Sequence, residues 1–101
     1  MNKTIGFIGM GNMAQAIAQG FIASGQISAS QLYAYAPNQD KLKNNAARIG
    51  FTPCANAMDV AAASDIVVVA VKPYLVKEVL SPIADALKGK IVFSVAAGMD
   101  F

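Results

Sequence analysis

An apolar run interrupted by glycines near the start of the chain constrains the fold more than any other feature. Thr4-Ile5-Gly6-Phe7-Ile8 has the length and character of a buried strand, and Gly9 ends it. Gly9-Met10-Gly11-Asn12-Met13-Ala14 follows with the spacing G-x-G-x-x-A. From Met13 the period changes. Met13, Ile17, Gly20, Phe21 and Ser24 fall on one helical face, alanines fill much of the rest, and Gly25 supplies the stop. A glycine turn between a strand and a helix has a physical use. Gly9 permits the tight turn, Gly11 lets the backbone approach a diphosphate, and Ala14 is small enough for close helix–strand packing. The amides of Asn12 and Met13 would then face the phosphates, at the positive end of the helix dipole. The expected ligand is a dinucleotide.

The rest of the chain repeats the alternation. Gln31 to Tyr35 reads as a second strand, broken by Ala36-Pro37-Asn38. Asn38 is suited to cap a helix running to about Arg48, with Asp40 in its first turn and Gly50 at its end. Phe51-Thr52 makes a short third strand, stopped by Pro53, and a short helix runs from Asn56 or Ala57 to Ala63. Asp65 to Val71 is rich in β-branched residues and marks a central parallel strand. Pro73 opens a helix to about Leu87, interrupted near Ser81-Pro82. Lys90 to Val95 is the fifth strand. Such spacing predicts an α/β fold: a Rossmann-type, doubly wound parallel sheet in three α/β/α layers, strand order 3-2-1-4-5, occupying residues 1–101 as one domain. A hydrophobic share of 55% against 14% charged suits strands buried on both faces.

Three further stretches bear on ligands. A strand-two tip that binds NAD usually carries an acid for the ribose 2′-hydroxyl. Here it reads Tyr35-Ala36-Pro37-Asn38, with no acid, while Asn38 can donate hydrogen bonds and Lys41 or Lys43 can supply positive charge. NADP(H) is therefore favoured, with NAD(H) second. Asp40 runs against this expectation, and an ordinary solvated helix face would also explain the lysines. Ala70-Val71-Lys72-Pro73 sits at the carboxyl end of the fourth strand, beside the order switch where open α/β sheets bind ligands. Val71 and Lys72 would lie against the nicotinamide half there. Ser94-Val95-Ala96-Ala97-Gly98 occupies the same edge after strand five, and its small residues leave room for a ring. Asn56 could reach the adenosine half. Met10, Met13 and Cys54 read as packing residues.

Composition excludes several classes. The net charge is +2, the lysines are scattered, and nothing resembles the concentrated basic footprint of a nucleic-acid binder. The chain has no histidine, which removes the commonest metal ligand and general base, so no metal site is expected. Cys54 is the only cysteine, which fits a reducing compartment, and no stretch is long enough to serve as a signal core or membrane span. The expected location is the cytoplasm.

Together the glycine turn Ile5 to Ala14, the Ala70-Val71-Lys72-Pro73 turn and the Ser94-Val95-Ala96-Ala97-Gly98 segment resemble the N-terminal domain of the pyrroline-5-carboxylate reductases. The resemblance covers essentially all 101 residues. It implies NAD(P)H-dependent reduction of 1-pyrroline-5-carboxylate to L-proline, the last step of proline biosynthesis. It places cofactor contacts on Ile8, Gly9, Met10, Gly11, Asn12, Met13, Ala36, Asn56, Ala70, Val71, Lys72, Pro73, Val95, Ala96 and Ala97. Ala36 stands where relatives often carry a hydroxyl. The resemblance leads to the expectation that the family's helical dimerisation and substrate domain is absent from these 101 residues, so no catalytic residue is assigned. This chain is expected to bind cofactor without turnover, the imine substrate being served only in a full-length enzyme. An uncovered fifth strand is expected to seek a partner through self-association. The competing readings are another NADP oxidoreductase, of the β-hydroxyacid dehydrogenase or coenzyme F420-dependent kind, and a non-catalytic association module.

Overall fold

The structure is a computed structural model, and it describes residues 3–71 and 73–94. Among them five strands form one sheet in the order β3-β2-β1-β4-β5, every pair parallel. The strands are β1 (Ile5–Ile8), β2 (Leu32–Tyr35), β3 (Thr52–Pro53), β4 (Ile66–Val69) and β5 (Ile91–Ser94). The helices are α1 (Asn12–Ala23), α2 (Gln39–Ile49), α3 (Ala57–Ala63) and α4 (Pro73–Leu80). The expected order 3-2-1-4-5 and the α/β layering are both present.

Side-chain alternation along the strands divides the core between two faces. Ile5, Phe7, Leu32, Ala34, Val68 and Ala70 pack with Ala14 and Ala18 of α1 and Leu42 and Ala46 of α2. Ile8, Val67 and Val69 point the other way, onto Val60 and Ala61 of α3, with Val76, Val79 and Leu80 of α4 and Ile83 closing that side. The two layers differ because each crossover must stay right-handed: the chain winds one way from β1 to β3 and the other from β4 to β5. β1 and β4 therefore sit side by side at the point where the winding reverses.

Several boundaries differ from those expected. The stripe of α1 that meets the sheet is carried by Ala14 and Ala18, both fully buried, flanked by the half-buried Ile17 and Phe21. Met13 is 41% exposed, and Gly20 and Ser24 face solvent. The expected face is thus turned by about one residue, because the helix comes so near the sheet that only alanine fits between them. Pro53 lies within β3 rather than stopping it, opposite Ala34. An edge strand tolerates proline, and the ladder bond to the Ala34 carbonyl comes instead from the Cys54 amide, at 2.7 Å. Gln31 belongs to a 3₁₀ turn, Ala29–Gln31, ahead of β2. The helix from Pro73 ends at Leu80, and two 3₁₀ turns, Ser81–Ile83 and Asp85–Leu87, replace its expected second half. Pro82 has no amide hydrogen to donate, so the α-helical ladder cannot run through it.

The outer strand β5 is exposed along its whole length. Ile91 and Phe93 on one face are 55% and 56% accessible, and Val92 on the other is 38%. Its start is anchored from below. The Lys90 ammonium, half-buried, donates to the Ser64 carbonyl at 2.7 Å and to the Ala61 carbonyl, both at the C-terminal end of α3.

Candidate functional site

The glycine turn is held between the ends of three strands. The Gly9 amide donates to the Tyr35 carbonyl of β2 at 2.7 Å, and the Ala70 amide donates to the Ile8 carbonyl at 2.8 Å. The protein itself requires glycine at position 9. Its φ is +96°, and an added Cβ would stand 2.5 Å from the Ala70 carbonyl oxygen. Position 11 is different. Gly11 precedes α1 with φ −77°, a value any residue adopts, and an added Cβ would meet no atom of the described residues within 4 Å. Nothing in the packing explains a glycine there. What it preserves is open space over the start of α1, where the first helical amides have no acceptor within the helix.

That space opens into a cleft of about 680 Å³. Gly9, Met10, Gly11 and Gln15 form one wall and Ala70 and Val71 the floor near β4. Ala36, Pro37 and Asn38 form the rim beyond β2, and Lys41, Leu42, Asn44 and Asn45 of α2 the far wall. Lys41 is the one charged residue among the described residues that line it. Lys43 and Asp40 are exposed and do not line it. The contrary charge at Asp40 is therefore off the cleft, and Lys41 rather than Lys43 is the lysine in place.

Asparagine capping shapes the rim. The Asn38 Oδ1 accepts from the Lys41 amide at 3.1 Å, starting α2 as the sequence predicts. Its Oδ1 being occupied, the Nδ2 group is the end left to donate. Asn56 does the same for α3, accepting from the Asp59 amide at 2.8 Å, and it does not line the cleft.

The other expected site residues divide plainly. Gly9, Met10, Gly11, Ala36, Asn38, Ala70 and Val71 come together around the cleft. Ile8 is adjacent, but its side chain is buried in the opposite layer. Met13 is exposed and does not line the cleft, so only its partner Met10, 6% accessible, packs as expected. The backbone of Asn12 begins α1 and that of Pro73 begins α4. Lys72, Val95, Ala96 and Ala97 lie outside the described residues. Cys54 is half-buried, and burial together with the Asp59 charge pushes its thiol up from 9.0. That is the behaviour of a packing residue rather than a nucleophile.

Gln15, Leu42, Asn44 and Asn45 are lining residues that sequence reasoning missed. A signal for them was present. Asn38, Lys41, Leu42 and Asn45 recur at spacings of three and four, so one face of α2 turns to the cleft. Gln15 lies four residues after Gly11, one turn into α1.

The comparisons with known proteins agree with this fold. A pyrroline-5-carboxylate reductase from Escherichia coli is 44% identical over 100 residues, covering 98% of this chain and 37% of that protein. The structure of a pyrroline-5-carboxylate reductase from Coxiella burnetii aligns over 94% of this chain and 36% of its own, with a TM-score of 0.85 and 32% identity. The Plasmodium falciparum pyrroline carboxylate reductase, solved with NADP bound, aligns over 93% of this chain and 33% of its own, with a TM-score of 0.79 and 29% identity. The chain thus spans about a third of the length of these relatives. Residues 4–98 match the family described as NADP oxidoreductase coenzyme F420-dependent, and the chain belongs to that family.

Proposed function

We propose that the cleft holds NADP(H) and that these residues are the dinucleotide-binding unit of a reductase acting on 1-pyrroline-5-carboxylate. The observation that carries the first part is Gly11, whose missing side chain answers no need of the fold and keeps the entrance to α1 open. The first amides of α1 would take the diphosphate there, with the helix dipole favouring its charge. The volume is ample for half a dinucleotide. The rim has no carboxylate among its described residues, and Lys41 with the Asn38 amide would meet a 2′-phosphate with positive charge and a donor. Ala70 and Val71 would support the nicotinamide half. When bound, the cofactor supplies hydride to the substrate. This chain's own residues bind it, orient it and set which phosphate pattern is accepted.

The substrate assignment is supported by the 44% identity to the Escherichia coli reductase along nearly the whole chain. A cytoplasmic location is consistent with a lone cysteine, and no described helix is long and apolar enough to cross a membrane. Among the described residues β5 is an outer strand of the sheet, exposed along its length, and this supports self-association through pairing with a second copy, which light scattering over a concentration series would show.

A chimera tests the assignment. Residues 1–98 replace the matching segment of the Escherichia coli reductase, and NADPH-dependent proline formation is measured. Activity is expected. A chimera that folds and binds NADPH yet makes no proline contradicts the substrate reading. The 101-residue chain alone is expected to bind NADPH and leave the imine unreduced.

A further inference from the structure

A chain of side chains runs from α2 to the glycine turn. The Arg48 Nη2 donates to the Gln15 Oε1 at 2.5 Å, and the Gln15 Nε2 donates to the Met10 carbonyl at 3.0 Å. Arg48 is steadied in turn by Asn45, whose Oδ1 accepts from the same Nη2 at 3.2 Å. We propose that Gln15, oriented by Arg48, is a positioning residue that presets the glycine turn to receive a diphosphate. The proposal rests on the dinucleotide reading of the cleft.

The peptide bond between Met10 and Gly11 is planar and trans, so the Met10 carbonyl and the Gly11 amide point in opposite directions. Fixing the carbonyl on Gln15 therefore fixes where the Gly11 amide points. Packing at Gly11 itself does not do this: it has no side chain, and no atom of the described residues lies within 4 Å of its Cβ position. A glycine in open space rotates cheaply and loses the most freedom when fixed. The tether removes that freedom before the ligand arrives, which is how preorganisation raises affinity.

The residue types fit the task. A glutamine amide carries a donor at one atom and an acceptor at the other. It can thus give to a backbone carbonyl while receiving from a guanidinium, which neither lysine nor glutamate at position 15 could do. Gln15 also bonds at its backbone, its amide donating to the Gly11 carbonyl at 3.0 Å. Both carbonyls flanking the Met10–Gly11 link to α1 are therefore held by one residue. The guanidinium bond is charge-assisted, so Arg48 holds the acceptor end of the Gln15 amide and turns its donor end to Met10. It further ties α2 to α1 across the cleft, making the two walls one unit.

Three variants test this: Gln15→Met, which keeps the volume and removes both bonds, Arg48→Met, and Arg48→Lys, which keeps a donor. NADPH dissociation constants come from calorimetry, and order at the Gly11 amide comes from ¹⁵N relaxation of the ligand-free protein. Gln15→Met is expected to bind about tenfold more weakly, the worth of roughly one hydrogen bond, with the Gly11 amide more mobile and thermal stability little changed. Arg48→Met should reproduce most of that loss, Arg48→Lys should recover part of it, and the double Met variant should bind no worse than Gln15→Met alone. Wild-type affinity with an equally ordered Gly11 amide in both Met variants overturns the proposal. Should Gln15→Met fail to fold, Arg48→Met carries the same two readouts. Absence of NADPH binding by the unaltered chain would instead overturn the dinucleotide reading itself.

Discussion

Replacing each of the two turn glycines by alanine should produce opposite outcomes. Gly9→Ala places a Cβ at a φ of +96° and 2.5 Å from the Ala70 carbonyl oxygen. The left-handed backbone costs about 1–3 kcal/mol for a residue with a side chain. The obstacle is backbone at the end of β4 and cannot swing aside, so overpacking adds about 1–3 kcal/mol. The sum, about 2–6 kcal/mol, is a large part of the roughly 5–15 kcal/mol that holds a domain together. Gly11→Ala meets no atom of the described residues within 4 Å at φ −77°. Its slightly poorer helix capping is offset by the reduced freedom of the unfolded chain, leaving stability within about 1 kcal/mol. Its methyl group projects where the diphosphate would lie. Losing one charge-assisted amide contact, about 1.5–3 kcal/mol, weakens binding roughly 10- to 100-fold. Thermal unfolding by circular dichroism and NADPH titration separate the two. Gly9→Ala should melt at least about 8 °C lower, and Gly11→Ala should melt near wild type and bind poorly. A Gly11→Ala protein with wild-type affinity would refute the claim that this glycine serves the ligand.

Two other perturbations test the frame around the site. Lys90→Met removes the ammonium that caps the α3 carbonyls of Ala61 and Ser64, and should destabilise the fold by about 1–2 kcal/mol in urea unfolding, with no change in NADPH affinity. Asp65 accepts from the Thr4 amide and hydroxyl at 3.1 and 3.3 Å, and the amide bond is the main cause holding its carboxyl below the ordinary 3.8. A depressed folded pKa contributes stability that is present above the unfolded value and lost as pH falls through the folded one. Asp65→Asn should therefore flatten the loss of stability below pH 3.8, and an unchanged acid limb would show that the carboxyl contributes nothing.

The order of elements was open to reading because local chemistry and global topology agree. β-branched residues in β4, asparagine caps on α2 and α3 and glycine at the turn each point to one winding. Misreadings arose where tertiary contact decides. Helical periodicity puts Met13, Ile17, Gly20, Phe21 and Ser24 on one face of α1, but the sheet admits only Ala14 and Ala18 at closest approach. Proline chemistry alone predicts a strand break at Pro53, yet at an edge its missing amide hydrogen leaves no partner unsatisfied across the sheet. At the site, the backbone-forming glycines announced themselves through spacing. Of the α2 wall the sequence singles out only Lys41; Asn44 and Asn45 fit an ordinary solvated helix equally well, and the position of α2 over the cleft decides between the two. The Arg48–Gln15–Met10 chain joins residues 33 and 5 apart, and no local pattern encodes it.

Calorimetric titration of NADPH and NADH into this chain and into Lys41→Met tests the central claim most directly. The wild-type chain should bind NADPH more tightly, and Lys41→Met should lose roughly tenfold for NADPH while leaving NADH nearly unchanged. Equal affinity of the wild type for the two cofactors, or an equal loss for both in the variant, would contradict the assignment of the acid-free rim to a 2′-phosphate.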